Sequence, residues 1–487
     1  MFAEYLYDMA QARYEKRIIL IDEDQILEKV DWQEVFIVNG CQPITYENDL
    51  KFRIDYEDIW KARQENYVFV VKPGDYVPYD IRKIAHEFRV SYQNLFPKLN
   101  GMTLKEASDF NLDLLTLANQ KNYDDLRTEE RTKKFLSDRV YGKENIREYL
   151  EVGVKELSDE MNSCRRYADW MVIAKKQAHL QVMAAEYGLE IDTKFVDQPF
   201  QDFVLKDFGK LSSEISRTSP VLVSRAMDFM HGQSRKFALI VMDGMSLFDW
   251  QIIRRSFADL KFSETEAFAM IPTITSISRQ CLISGKYPKD LQNPWSTSKE
   301  KNEFIFGAEK LGFTDAQIAY GRGYDTDFSI SVQCGCIIVN DVDDMMHGQK
   351  QGRSGMYQDI SLLAKQHHLH DTVKRLLEQG FDVYISADHG NTECTGAGKF
   401  MKAGVETETK SHRMIVLKDF ADKDALLQSR NMLEYPGYFL DKKFDYLICS
   451  GHESMDAKEE QVITHGGMTL EEVVVPFITI KADENHG

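Results

Sequence analysis

The rhythm of apolar and polar residues changes twice along the chain. In the first hundred residues two apolar runs, IILID (18–22) and YVFVVKP (67–73), end near Asp22 and Pro73, where turns are expected. Between them DYEDIWKARQ (55–64) has helix-forming composition. This pattern predicts a small α/β domain over 1–100. From about Thr103 to Ser213 apolar residues recur at helical spacing among many Glu and Lys, with proline only at Pro199. A helical domain over 101–215 is therefore expected. From about Arg235 onward strands alternate with helices. FALIVMD (237–243), QCGCIIVND (333–341), FDVYISAD (381–388) and HRMIVLKD (412–419) are apolar runs that close on polar residues. Such runs suit a mainly parallel sheet with helices on both faces, expected within a third domain over 216–487. Function in an open α/β sheet gathers at the carboxyl ends of the strands. Three of the four runs end in or just before aspartates that carry candidate chemistry.

Length and composition narrow the classes. A chain of 487 residues is too long for one core, and 43% hydrophobic with 28% charged residues is the balance of a soluble globular protein. No apolar run approaches the roughly 20 residues of a membrane span. The start, MFAEYLYDMAQARYEKR, lacks the basic, apolar and small-residue order of a signal peptide, so the cytoplasm is the expected location. Seven scattered cysteines suggest reduced thiols, and the Cys334-x-Cys336 pair reads as small buried hydrophobes in a strand rather than half of a zinc site. A net charge of −18 excludes a broad surface for duplex nucleic acid. It leaves room for a local pocket that takes one phosphate group, and for metal ions, which reverse the local field.

Five clusters carry candidate chemistry. In VMDGMS, Asp243 ends a buried strand, where a carboxylate is a hard donor for a divalent cation; the same residues also read as an ordinary Asp-Gly turn. In IPTITSISRQCLISGKYP (271–288) a helix is expected from about Thr275 to Ser284, closed by Gly285. A hydroxyl at a helix N-terminus sits where the backbone favours an anion, which suits a nucleophile attacking phosphorus, although Thr and Ser are also common N-caps. Arg279, four residues on, shares a helix face with Thr275 and would meet either a phosphoryl oxygen or a surface acid. In NDVDDMMHG (340–348) one helical turn puts Asp343 and His347 on a common face. In YISADHGNTE, Asp388 and His389 follow an apolar strand, and Gly390 permits the turn that lets both face one site. In VITHGGMTLEEVVVPF, His465 precedes two glycines and a helix capped by Thr469.

The set Asp243, Thr275, Asp343, His347, Asp388, His389 and His465 resembles, in order and spacing, the two-metal sites of the alkaline-phosphatase superfamily. Pro272, Thr275 and Gly285 are similar to the nucleophile segment of its phosphodiesterases. More closely, the T-x-T-x-x-SR segment and HGGMTLEEVVVPF resemble the PglZ family, found in bacterial phage-exclusion (BREX) systems, over roughly 216–482, with a weaker likeness over 1–100. The resemblance implies an alkaline-phosphatase-like fold. It implies one divalent ion held by Asp343, His347 and His465, and another by Asp243, Thr275, Asp388 and His389. Zinc is the first expectation, with Mn or Mg as alternatives. Thr275 is then the nucleophile, with Arg279 beside it, of a phosphodiesterase or phosphomonoesterase acting on a nucleotide or short oligonucleotide. Defence-system proteins are the implied partners.

The chain departs from the phosphodiesterase pattern at Arg279, where that pattern has His. It also lacks the Cys or Ser that sulfatases convert to formylglycine. A basic loop with Lys399, Lys402 and Lys410, followed by His412 and Arg413, is expected to contact substrate phosphate, or else to be a solvated loop beside an ordinary strand. No role is assigned to His367, His368 and His370. Two competing readings are a non-catalytic scaffold in a multiprotein defence complex and a phosphomutase.

Overall fold

β-branched and aromatic residues build the first sheet. Its strands are β1 (Arg17–Asp22), β2 (Cys41–Thr45), β3 (Asn66–Val71) and β4 (His86–Val90). They lie in the order β2-β3-β1-β4 with every pair parallel. Ile19 and Ile21 of β1 and Tyr67 and Phe69 of β3 pack with Phe52 and Tyr56. The last two come from the helix Asp49–Tyr56, which Asn48 caps by accepting from the Lys51 N–H and which runs on as a π-helical turn, Glu57–Ala62. In the computed structural model, residues 1–107, 110–122, 124–399, 411–418, 423–429 and 431–485 are described. They form two units, Met1–Val152 and Gly153–Gly487. The described residues of 101–215 are mainly helical: Leu112–Gln120 and Glu129–Phe135 belong to the first unit, Tyr167–Tyr187 and Asp197–Asp207 to the second. Pro199 falls in the first turn of the last of these, where its missing N–H costs nothing.

The second unit contains β5 (Phe237–Met242), β6 (Ser263–Phe268), β7 (Ile318–Arg322), β8 (Cys334–Val339) and β9 (Asp382–Ser386). It continues with β10 (Thr392–Gly396), β11 (Met414–Leu417), β12 (Met432–Tyr435) and β13 (Asp445–Cys449). Last come β14 (Glu453–Ser454), β15 (Gln461–Thr464) and β16 (Val474–Ile480). The main sheet has the order β6-β16-β9-β5-β8-β7. β9, β5, β8 and β7 pair in parallel, and β16 runs antiparallel to both β9 and β6. Every residue of β5 and β8 is buried, so both faces of the sheet are covered, as a near-continuous apolar run requires. Cys334 and Cys336 lie among them, fully buried. This is a mainly parallel α/β fold. Among the described residues no helix is long and apolar enough to cross a membrane.

One strand departs from expectation. The run HRMIVLKD yields β11, which does not join the parallel sheet; it pairs antiparallel with β13 in a separate sheet of order β11-β13-β12. Met414, Ile415, Val416 and Leu417 are all buried. A short run buried on both faces has the same composition in either sheet type, so its pattern does not name its partner. A third small sheet, β14-β10-β15, lies beside the segment that leads to His465.

The topology brings the candidate segments to one rim. β5, β8 and β9 end on the same side, as does β6. The start of β16 lies there too, since Val474 pairs with Phe268 at the end of β6. Segments that follow β5, β6, β8 and β9, and the segment that precedes β16, therefore all converge there.

His452 ties further parts of this unit together. Its Nε2 lies 3.1 Å from Asp197 Oδ2, and its Nδ1 lies 2.7 Å from the Glu393 carbonyl on β10. Burial lowers its pKa, but the Asp197 hydrogen bond and the Glu471 charge outweigh this and push it up to about 9. A His raised on folding stabilises fully below its unfolded value, about 6.5, and loses that contribution as pH climbs through the folded value. His452→Gln is therefore expected to lower unfolding free energy by about 2 kcal/mol at pH 6, with the deficit shrinking toward pH 10. Denaturant melts at both pH values check this, and a deficit that does not change with pH would refute it.

Candidate metal centre

Asp243 leaves the end of β5 and is 3% exposed. Gly244 follows with φ +73°, the left-handed turn that Gly tolerates, and its N–H donates to Asp388 Oδ1 at 3.2 Å. The helix Thr275–Ser284 forms as expected, and Gly285 closes it in a left-handed conformation. Ile274, not a hydroxyl residue, occupies the N-cap, so Thr275 is not spent on capping. Its Oγ1 lies 3.0 Å from His389 Nε2 and 3.5 Å from Asp243 Oδ1.

Asp343 and His347 lie on the helix Asp341–Gly348, with Oδ1 and Nε2 3.4 Å apart. His465 brings its Nε2 to 3.7 Å from the same oxygen. Asp388 and His389, at the end of β9, are both fully buried, and both face Asp243: His389 Nε2 is 3.7 Å from Asp243 Oδ1. The His389 and His465 rings stack with centroids 4.0 Å apart, which joins the two clusters. The seven expected side chains thus share one site. Six of them fall into two groups, Asp343–His347–His465 and Asp243–Asp388–His389, within each of which the donor atoms lie within 4.8 Å of one another, and Thr275 stands beside the second.

Two observations show that these residues fit divalent ions. His389 Nδ1 donates to the Gly390 carbonyl at 2.9 Å, and His465 Nδ1 donates to the Thr273 carbonyl at 2.8 Å. Each backbone carbonyl fixes the tautomer that turns an unprotonated Nε2 into the site, the usual outer support of a metal-binding imidazole. Asp343 Oδ1 and Asp388 Oδ2, one in each group, are buried and accept no hydrogen bond. A buried carboxylate oxygen without a donor is costly unless a cation meets it. The electrostatics agree. Burial and the neighbouring His389 pull His465 down to about 4, so its ring is neutral. Burial would raise Asp343, but His347, 3.4 Å away, and the His465 and His389 imidazoles draw it down to about 2. Burial, then the Asp243 charge, raises Asp388 well above the carboxylate range in the protein without ions.

The family follows from the sequence of this same segment. The model of the BREX system PglZ alkaline phosphatase-like domain matches residues 223–480, more than half of the chain. The chain belongs to the PglZ family. No curated protein matches it. Among solved structures the PglZ chain is similar to human ectonucleotide pyrophosphatase/phosphodiesterase 5, at TM-score 0.39 and 14% identity over 51% of this chain and 90% of that one. It is also similar to the inactive murine enzyme in complex with AMP, at TM-score 0.37 and 13% identity over 50% and 88%. A phosphonoacetate hydrolase from Sinorhizobium meliloti with phosphonoacetate has TM-score 0.33 and 11% identity over 50% and 90%.

Two side chains sit differently from expectation. Arg279 does not pair with a surface acid. It is buried, with Nη1 2.5 Å from Asp243 Oδ2 and Nε 3.0 Å from Glu300 Oε2. Arg413, expected to meet substrate phosphate, is fully buried. Its Nη1 donates to Glu472 Oε1 at 3.0 Å and its Nη2 to the Gly451 carbonyl. A guanidinium so enclosed is not available to a substrate, and that role is withdrawn. His412 remains exposed and pairs with Asp456 at 2.5 Å. Lys402 and Lys410 lie outside the described residues.

The PglZ site also depends on residues that the sequence did not single out. Asn391, fully buried, donates to the Gly244 carbonyl at 2.9 Å and to Asp249 Oδ2 at 2.6 Å, while its Oδ1 accepts from Arg353 at 2.7 Å. It thereby clamps the turns that carry Asp243 and Asp388. Glu472 accepts from Thr469 N–H, Thr469 hydroxyl, Gly467 N–H and Arg413, which braces the loop of His465. Thr469 and Glu472 form a capping box readable as T-x-x-E. Glu300 and Asn391 offer no comparable signal.

Arg413→Met strands the Glu472 carboxylate in the interior and is expected to cost about 3 kcal/mol of stability. Adding Glu472→Leu should recover part of it. Equilibrium unfolding measures both, and a wild-type midpoint for Arg413→Met would remove the bracing role. Gly390→Ala should also destabilise, by about 2 kcal/mol, because its Cβ would meet the Glu471 carbonyl oxygen at 2.0 Å. A wild-type melting temperature would show that the turn can relax.

Proposed function

We propose that the PglZ domain, taken as 216–487, is a metal-dependent phosphohydrolase with Thr275 as its nucleophile. The observation that carries this reading is the Thr275 hydroxyl at a helix N-terminus, 3.0 Å from His389 Nε2, between two three-residue donor groups. Asp343, His347 and His465 would hold one ion, zinc first. Asp243, Asp388 and His389, with Thr275, would hold the other. Such ions, when bound, acidify the hydroxyl and neutralise charge on the phosphoryl oxygens.

The chain's own residues do the rest. The helix that starts at Thr275 turns its N-terminus toward the site, which favours the phosphoryl anion. The hydroxyl gives up its proton to solvent, Oγ1 bonds to phosphorus as the bond from phosphorus to the leaving oxygen breaks in line, and that oxygen takes up a proton from solvent. Water then breaks the phosphothreonine bond. His389 and His465, held by backbone carbonyls, keep the donor set rigid. Arg279 acts on the site through Asp243.

The substrate class is a nucleotide or short-oligonucleotide phosphoester, supported by the spacing of Pro272, Thr275 and Gly285 and by a net charge that disfavours long duplexes. The exposed His412 would meet the substrate at the rim. A place in phage defence, among BREX-type partners, rests on the family alone.

Bis-nitrophenyl phosphate hydrolysis, with Zn2+ or Mn2+ added, tests the reading. Thr275→Ala is expected to lower kcat roughly a thousandfold or more, with the carboxylate and imidazole donors of both groups intact. Turnover that survives this substitution would sink the nucleophile assignment. A fully metal-loaded wild type without turnover would favour the scaffold, and phosphate returned to an organic acceptor would indicate a mutase.

A further inference from the structure

We propose that Arg279 is a built-in counter-cation that makes the Asp243–Asp388–His389 group the weaker, later-filled of the two metal sites. The inference rests on the two-ion reading above and concerns how the ions load.

Arg279, Asp243, Asp388 and Glu300 form a cluster sealed from solvent, their side chains 4%, 4%, 0% and 3% exposed. Arg279 Nη1 lies 2.5 Å from Asp243 Oδ2 and 3.9 Å from Asp388 Oδ2. Two carboxylates enclosed together repel each other unless a cation stands between them. Without an ion, Arg279 is that cation for Asp243. A divalent ion arriving at Asp243 Oδ1, Asp388 Oδ2 and His389 Nε2 therefore meets a positive charge already fixed on the same carboxylates. Repulsion between enclosed charges is poorly screened.

The other group has no such occupant. Among the described residues the ion pairs of Asp343 are with His347 and His465, both of them imidazoles within the group. Its three donors face an incoming ion without a competing guanidinium.

Glu300 sets how strongly Arg279 is felt. It draws on Arg279 from the side away from Asp243, through Nε at 3.0 Å, and is itself shared with the Tyr320 hydroxyl and Arg322. Removing Arg279 or removing Glu300 should thus act with opposite sign on the second ion. A role confined to packing would weaken binding in both variants.

The test uses the full chain stripped by chelator and titrated with Zn2+ alone by calorimetry, with Co2+ absorbance as a second readout. Wild type should show two unequal steps, and His465→Ala should lose the tighter one. Arg279→Gln should tighten the weaker step by roughly tenfold or more. Glu300→Gln should loosen it, and Arg279→Lys should keep the wild-type order. If Arg279→Gln does not fold without an ion, Glu300→Gln and Arg279→Lys carry the comparison. Same-direction changes, or none, would overturn the inference while two wild-type steps leave the metal reading standing. A wild type that binds no Zn2+ overturns both.

Discussion

Two aspartates, Asp243 and Asp388, leave neighbouring parallel strands and end up side by side in the interior. Their mutual repulsion without water is the constraint around which the rest of the site is arranged. Each answer to it comes from a different part of the chain. Gly244 turns its N–H onto Asp388, and the helix after Thr275 sends Arg279 back onto Asp243. The imidazole of His389 stands beside both. A site of this kind is held open by charge as much as by packing.

A second layer of buried polar groups fixes where these residues point. Asn391 spans the turns after β5 and β9, so a shift of either strand end is felt by the other. Glu472 does the same for the loop of His465 and passes its charge to Arg413 rather than to solvent. Such networks rigidify a site to the extent that their members are satisfied. In this layer Asp249 Oδ1 and Arg413 Nε lack a partner, and so do Asp343 Oδ1 and Asp388 Oδ2, one in each donor group. The exposed edge of the site is different in character. His347 retains 57% of its side-chain exposure, so the Asp343 group opens to solvent while the Asp243 group is sealed.

Much of this was readable along the chain. Apolar runs located β1, β3, β5, β8 and β9, because a strand buried on both faces must be apolar throughout. The Thr275 helix was bounded by Pro272 and Gly285, whose backbone constraints are local. Asp343 and His347 at helical spacing, and Asp388 and His389 before a glycine, announced shared faces because those geometries span only a few residues. Their assembly into one pocket was inferred from a family likeness in order and spacing.

The sequence by itself determined the local chemistry: which side chains could donate to a cation, which hydroxyl began a helix, and which strands were enclosed. Tertiary structure alone decided the pairings of long-range charges. It sent Arg279 to Asp243 and Glu300 and buried Arg413 against Glu472. It also took β11 out of the parallel sheet and gave Asn391 a bridging role. The reason is that periodicity reports which face of an element is buried, whereas the partner of a buried charge or of a short strand depends on what the fold brings opposite to it, and that is written nowhere within the element itself.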